Sequence, residues 1–395
     1  MSDIKPIRIA VASDLHAHSG HKNSPSHLNI NNSQSPVGQH PIASLVELIR
    51  REELHATVLL SPGDLGHQAD AQGIRYSWQA LAQISDALGA DFLAATAGNH
   101  DIDSRYETND HAPEHILKSL EPSFPFGDET LDNKYWARAY AIRDHVQFRL
   151  LVVNSSAFHG NTAIEQNHGR IDPASLEAIR KDLSKRDHRD VNILLCHHNP
   201  HQHSEINLGE DDVMKQGQLL LDLLGSGTFG RWFVIHGHKH HPKITYAAGG
   251  SQSPVVFSAG SLCSALYTEL QSVARNQFYI IEIDPADCKS RGLVGRIKAW
   301  DWVFGTGWIE AQLGSGLPSE FGFGSRQDAR ILAQNVAKQM NGSPSVDWLV
   351  LAHAVPDLRY LLPQDVRQLD LELSRHHKIR ITWQGSRPAE LGRTA

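Results

Sequence analysis

Little in this chain of 395 residues points to a membrane or to the cell exterior. It has only three cysteines, Cys196, Cys263 and Cys288, too few and too scattered for a disulfide framework, and none forms a CxxC pair. A sparse, odd set of this kind reads as small buried thiols in a reduced, cytoplasmic protein. No uncharged apolar run approaches the roughly 18 residues of a membrane span, so no membrane partner is expected. The short apolar segment before Asp14 lacks a small-residue cleavage pattern and reads as a strand rather than a signal peptide. A basic excess is also missing. Lys+Arg number 37 against 44 Asp+Glu, and the formal charge of −7 provides no general footprint for nucleic acid or an anionic surface. With 40% hydrophobic and 21% charged residues, and no internal repeat, the chain is neither disordered nor fibrous. What it has in excess is histidine, 25 residues. Histidine is the commonest metal ligand and the side chain whose charge changes near neutral pH.

Short β-branched, apolar runs recur at Ile7–Ala12, Thr57–Leu60, Phe92–Thr96, Phe148–Val153, Val191–Leu195 and Trp232–Ile235. They are too short for buried helices and nearly continuous in apolar character, as strands covered on both faces are. Helix patterns lie between them. One is Pro41–Leu54, with proline in its first turn, and another is Pro173–Leu183, with Asp172 as a plausible N-cap. This alternation predicts a layered α/β fold. Beyond Trp232–Ile235 the runs Pro254–Ser258, Phe278–Ile283 and Arg296–Trp302 read as antiparallel strands with turns and no helix between them. The stretch GSGLPSEFGFGS, residues 314–325, reads as a linker. After it, Ser325 with Asp328 resembles a capping box opening a helix to Met340, and Val346–Val355 and Lys378–Trp383 read as strands. The expected organisation is a main domain over residues 1–312 and a small C-terminal accessory module over 320–395. The polar stretch His18–His40 has no periodicity. Long loops of this kind inside a domain are usually either functional or disordered.

Five of the buried runs end directly in polar clusters. These are Ser13-Asp14-Leu15-His16, Gly63-Asp64, Gly98-Asn99-His100-Asp101, Cys196-His197-His198-Asn199-Pro200 and Gly237-His238-Lys239-His240. In open α/β sheets ligands gather beyond the carboxyl ends of strands, so side chains from Asp14 to His240 can converge in one crevice. Two aspartates, one asparagine and at least four histidines make a mixed nitrogen and oxygen donor set without thiolate. Such a set suits Mn, Fe, Zn or Co rather than Ca or Mg. Seven ligands exceed one tetrahedral site and match two ions sharing a carboxylate. A pair of divalent ions so placed clamps a phosphoryl group and lowers the pKa of a water between them. Two carboxylates facing two divalent cations leave the pocket locally positive, attractive to a phosphate ester.

The ordered blocks D-x-H (Asp14, His16), G-D (Gly63, Asp64), G-N-H-D (Gly98 to Asp101), H-x-x-P (His197, Pro200) and G-H-x-H (Gly237, His238, His240) resemble the calcineurin-like metallophosphoesterase superfamily over about residues 7–300. The resemblance implies a four-layer α/β/β/α sandwich of two mixed sheets flanked by helices, here with the small C-terminal module added. It implies that Asp14, His16 and His240 hold one metal, that Asn99, His197 and His238 hold the other, and that Asp64 bridges them, with manganese the favoured ion. His100 is then unliganded beside the phosphate, Asp101 orients His100, and a metal-bridging hydroxide attacks in line. The His197-His198-Asn199-Pro200 cluster departs from the more usual H-H-P-P or H-x-P, which leaves His197 and His198 as alternative ligands. His18, His67 and His198 are candidate substrate residues, and Arg105 and Arg170 candidate phosphate contacts. His198, His201, His203 and His241 fall at the rim, whereas His376 and His377 read as solvated surface.

The expected activity is hydrolysis of a phosphate ester, foremost a phosphodiester of a nucleotide or nucleic acid. A repair-type exonuclease and a phosphomonoesterase are the alternatives within the superfamily. A non-catalytic protein-binding scaffold is the alternative outside it. Residues 320–395 are a candidate surface for a protein partner.

Overall fold

The computed structural model describes residues 5–394 other than 22, 33–34, 109, 162–164, 166–167 and 203–212. His203, expected at the rim, lies outside the described residues. In chain order the elements begin β1 (Ile7–Val11), α1 (Pro41–Arg51), β2 (Val58–Ser61), α2 (Ala71–Leu88), β3 (Phe92–Ala95), α3 (His115–Lys118), α4 (Glu129–Arg138), β4 (Tyr140–Asp144), β5 (Arg149–Val153), α5 (Pro173–Ser184), β6 (Asn192–Leu195), α6 (Gly217–Gly225) and β7 (Trp232–His236). They continue with β8 (Lys243–Tyr246), β9 (Val255–Ser258), β10 (Gln277–Ile283), α7 (Pro285–Arg291), β11 (Gly295–Val303), β12 (Gly307–Glu310) and β13 (Glu320–Phe323). Last come α8 (Ala329–Gln339), β14 (Ser345–Asp347), α9 (Trp348–Ala354), α10 (Pro363–His377), β15 (Ile379–Gln384) and β16 (Arg387–Arg393).

Two mixed sheets form the body. The first runs β12-β11-β10-β1-β2-β3, with β13 also paired to β11, and the second runs β4-β5-β6-β7-β9-β8. Strands β1, β2 and β3 are parallel, as are β5, β6, β7 and β9, while β10, β11 and β4 run antiparallel to their neighbours. Each sheet is apolar on both faces because each is covered twice. On β5, Leu150 and Val152 enter the core between the sheets. Leu151 and Val153 point the other way, onto Ile179 and Leu183 of α5 and Leu220 and Leu224 of α6. Helices α1 and α2 cover the first sheet through Leu45, Leu48, Trp78 and Leu81. The layers are therefore α/β/β/α.

Local chemistry sets the helix starts. The Asp70 carboxylate accepts from the amides of Gln72 and Gly73 at the head of α2, and Asp172 does the same for Ala174 and Ser175 of α5. At α1 the cap is an imidazole, His40 Nδ1, which accepts from Ala43 N at 3.2 Å.

The C-terminal region departs from the sequence expectation in four places. A short helix, α7, separates β10 from β11 where turns alone were expected, started by Asp284 accepting from Ala286 N. The 314–325 stretch is not purely a linker, because β13 within it pairs with β11. The N-cap of α8 is Asp328 itself, accepting from Arg330 and Ile331, rather than Ser325. Residues 348–354 form a helix, α9, not a strand. Asp347 caps it, and Trp348, Leu351 and Ala352 at helical spacing bury against the neighbouring helices. Helices α8, α9 and α10 and the small sheet β14-β16-β15 enclose an apolar cluster of their own, including Val336, Leu369, Leu373 and Leu391. No helix among the described residues is long and apolar enough to cross a membrane.

Candidate metal centre

The five polar clusters follow β1, β2, β3, β6 and β7, and the parallel arrangement carries all of them to one end of the sandwich. Backbone hydrogen bonds stitch the turns together: Asp14 N to Gly63 O and His16 N to Asp64 O at 3.0 Å, and Gly237 N to His197 O at 3.0 Å. The glycines of two motifs are steric necessities. A Cβ on Gly98 would run into the Asp64 carboxylate, and one on Gly237 into that of Asp14. Asp14, His16, Asp64, His238 and His240 all hold left-handed backbone, φ between 48° and 79°. Non-glycine residues in this region cost free energy and persist where the surrounding structure over-determines them, which is common at functional sites.

Asp64 stands at the middle. Its Oδ2 is 3.3 Å from His16 Nε2 and 3.4 Å from His197 Nε2, while its Oδ1 accepts from the His100 amide at 2.8 Å. On one side, His16 Nε2 is 3.1 Å from His240 Nε2, and His240 Nε2 is 3.5 Å from Asp14 Oδ1. On the other, Asn99 Oδ1 is 3.1 Å from His197 Nε2 and 3.0 Å from His238 Nδ1. The structure thus brings all seven sequence-derived candidates together in two groups that meet at one carboxylate. The ligand atoms of Asp14, His16, Asp64 and His240 lie within 4.8 Å of one another.

The electrostatics call for positive charge. Burial opposes ionisation of Asp64, but the imidazoles of His197, His100 and His16 outweigh it and hold its carboxyl well below the usual range. Burial likewise opposes protonation of His197, and the Asp64 and Asp14 carboxylates push it up to about 9. His16 is raised in the same way. Protons on these rings stand where divalent cations would supply the charge. Two imidazole nitrogens facing at 3.1 Å can share one proton, whereas a cation satisfies both lone pairs. His197 is arranged as a nitrogen donor: its Nδ1 donates to Pro62 O at 2.8 Å, which leaves the Nε2 lone pair free to face the centre. The donor set fits a binuclear divalent metal site.

His100 is placed beside this centre, its ring 4.6 Å from that of His16, and burial pushes its pKa down to about 3. Asp101 does not act on it as expected. Its carboxylate accepts from Leu65 N (2.7 Å), Gly66 N (3.0 Å) and Gly98 N (2.9 Å), so it braces the two turns that carry Asp64 and Asn99 rather than the His100 ring. His67 stacks on His100 at 5.1 Å and reaches the edge of the centre. His18 does not reach it. Both its ring nitrogens serve the 18–40 loop, Nδ1 accepting from Gly20 and His21 amides and Nε2 facing Ser26 O.

His198 packs on His238 (4.5 Å); its Nδ1 is engaged by Ser155 Oγ at 2.8 Å, and a ring nitrogen of His198 lies within 4.8 Å of one from His197 and one from His238, so it remains an alternative donor beside His197. Arg170 is tied to Glu165 and to the Phe158 ring, whereas Arg105 lines a cleft beside Asn99 and His100. His201 and His241 are part-buried and belong to none of the donor groups among the described residues. His376 pairs with Glu372 on the surface.

Four contributors escaped the sequence reading. Ser13 donates to Asp14, Ser155 holds His198, His159 packs tilted against His198 at 5.5 Å, and Tyr267 stacks on His240 at 5.4 Å. Ser155 carries the same signal as the candidate ligands, a polar residue just past a buried strand, here β5. Tyr267 has no local signal, because only the tertiary fold brings its loop to the site.

A model of the calcineurin-like phosphoesterases matches residues 7–242. The chain belongs to this family. A search of curated proteins finds no match. Solved structures with a similar fold include a purple acid phosphatase from yellow lupin seeds, 13% identical, covering 80% of this chain and 53% of that one at a TM-score of 0.48. A dimetal phosphatase from Danio rerio is 12% identical, covering 77% and 98% at 0.45. A 5′-nucleotidase precursor from Thermus thermophilus is 12% identical, covering 74% and 54% at 0.37. The chain thus spans about half the length of the lupin enzyme.

Proposed function

We propose that the protein hydrolyses a phosphodiester, of a nucleotide or nucleic acid, with Asp14, His16 and His240 holding one divalent ion, Asn99, His197 and His238 a second, and Asp64 both. Manganese is the favoured ion. The observation that carries this reading is the position of Asp64 Oδ2, which faces an imidazole from each group within 3.4 Å. When bound, such a pair of ions supplies an activated water and neutralises the charge that builds on the phosphoryl oxygens. His100, unliganded at the edge of the centre, is the residue that stabilises the departing oxygen or delivers its proton. Asp101 keeps the Asp64 and Asn99 turns in register.

The cleft next to Asn99 and His100 has a volume of about 570 Å³ and is lined by His21, Gln68, Arg105 and Thr108 among others, room for a group larger than phosphate. Tyr267, stacked on His240, offers an aromatic wall that suits a nucleobase. Retention of every ligand type argues for catalysis over a scaffold role. Residues 320–395 carry exposed Leu349, Val350 and Trp383, which supports a partner-binding role for this module. Three unpaired, buried cysteines support a cytoplasmic setting.

The test is a substrate panel on Mn-loaded protein: chromogenic monoester and diester, cyclic nucleotides, and single- and double-stranded DNA and RNA, each beside the Asp64→Asn variant. Turnover of diesters above monoesters supports the reading. Turnover of the monoester alone replaces it with the phosphomonoesterase alternative.

A further inference from the structure

A second cavity lies far along the chain from the metal ligands, where the C-terminal module meets the body, and it does not depend on the proposed reaction. Its volume is about 530 Å³, within the range of small-molecule pockets. The floor is apolar and buried: Phe321 from β13, Trp348 from α9, Leu358 and Leu361 from the segment leading to α10, and Val366 from α10 itself. Around the mouth stand apolar side chains exposed to water, Leu313 from the β12–β13 loop, Leu371 from α10 and Trp383 from β15. Three separate parts of the fold therefore expose apolar surface towards one hollow, an arrangement that costs free energy unless something occupies it.

The charge at this cavity is not balanced. Four arginines line it, Arg296, Arg359, Arg367 and Arg387, against two carboxylates, Glu320 and Asp370. Both carboxylates are already engaged. Glu320 lies 3.9 Å from Arg296 and 3.5 Å from Arg387, and Asp370 accepts from Ile381 N at 2.8 Å and sits 3.5 Å from Arg380. Arg296 and Arg387 have further partners in Glu282 and Glu310. Arg359 and Arg367 meet no carboxylate within ion-pair distance among the described residues. Arg359 is steadied by His353 Nδ1 at 3.1 Å. An apolar hollow with two uncompensated guanidinium groups is complementary to a ligand with an apolar body and an anionic head.

We infer that this cavity is a binding site for an amphipathic small-molecule anion, an acyl or aryl chain carrying one carboxylate or phosphate. The apolar body lies against Trp348 and Phe321 and beneath Trp383, and the head group meets Arg359 and Arg367. Guanidinium is suited to either head group, because its fixed fork of donors matches two oxygens at once. Because β13 belongs to the first sheet while α9, α10 and β15 belong to the module, an occupant bridges the two parts.

The test uses the full chain and the fluorescent apolar anion 1-anilinonaphthalene-8-sulfonate, followed by competition with dodecanoate, dodecyl phosphate and uncharged dodecanol. The probe is expected to saturate at one site per chain. Both anionic competitors displace it, their ratio identifying the preferred head group, and dodecanol is at least about tenfold weaker, the scale of one charge-assisted contact. Arg359→Ala with Arg367→Ala weakens the anions by about tenfold and leaves dodecanol unchanged. Trp383→Ala weakens all three. These side chains are away from the candidate metal centre, so an unchanged melting temperature and an unchanged far-ultraviolet circular dichroism spectrum certify that each variant is folded. Equal competition by dodecanol and dodecanoate, or indifference to loss of both arginines, overturns the inference. So does a concentration-dependent dimer that excludes the probe, or displacement only by an acidic peptide, since the cavity is then a protein interface.

Discussion

The Nε2 atoms of His16 and His240 face each other at 3.1 Å, buried, with room for only one proton between them. A divalent cation resolves that crowding, so metal is expected to stabilise the folded chain. At a hundredfold excess over Kd, binding to the native state adds about 2.7 kcal/mol, a rise in melting temperature of roughly 3–6 °C for a chain of this size. Differential scanning fluorimetry of chelator-treated protein with and without Mn²⁺ or Zn²⁺ measures it. Asp64→Asn turns an oxygen that faces both His16 and His197 into an amide, and this variant is expected to show a smaller shift, lower metal content and no turnover.

His100→Ala separates chemistry from metal binding. Its ring contacts the centre but its amide, not its side chain, bonds Asp64. The expected result is unchanged metal content by mass spectrometry with kcat lower by about 10²–10⁴, the usual range for a general acid. A fully active variant would remove His100 from the mechanism.

Asp101 gives a different signature. Asp101→Ala leaves the amides of Leu65, Gly66 and Gly98 without their acceptor, and each unsatisfied buried donor costs about 1–3 kcal/mol. Both metal-bearing turns loosen, so metal affinity is expected to fall by about 10–100-fold together with the melting temperature. Loss of kcat with unchanged metal affinity and stability would instead indicate an effect on the His100 ring alone.

Stability is also expected to depend on pH at a site remote from the candidate metal centre. The imidazole of His40 caps α1 by accepting from Ala43 N, and burial lowers its pKa from 6.5. The unfolded chain therefore takes up the proton first. This contribution to stability is complete above pH 6.5 and is lost as pH falls towards the folded-state value. His40→Asn keeps a cap acceptor without a titrating group. Chemical denaturation at pH 7.5 and pH 5 is expected to show the variant gaining on wild type at the lower pH, by up to about 1 kcal/mol, the scale of one cap. His27, also lowered by burial, titrates equally in both proteins and cancels in the difference.

The body of the fold was readable because its signals are local. Six buried strands announce themselves as short apolar runs, and their ends lie within a residue or two of the observed ones, as in Ile7–Val11 and Trp232–His236. The C-terminal region was less readable. Residues 348–354 are apolar enough for a strand, and the choice of helix rests on Asp347 as cap and on burial of Trp348, Leu351 and Ala352 in the module's own apolar cluster. Residues 320–323 carry two glycines' worth of linker texture with their flanks, yet β11 offers an open edge that recruits them. Long-range pairing of this kind has no local signature.

The residue types that follow the buried strands, an N/O donor set without thiolate, picked out seven candidate ligands in five clusters. Tertiary structure decided which of them meet. It joins the two donor groups through Asp64, aims His197 rather than His198 at that carboxylate, diverts Asp101 to the loop backbone and His18 to its own loop, and adds Tyr267. The reason is geometric. A strand end specifies that a side chain reaches the crevice, but its partners are set by how sheets, turns and hydrogen-bonded loops bring segments more than 200 residues apart within 3.5 Å.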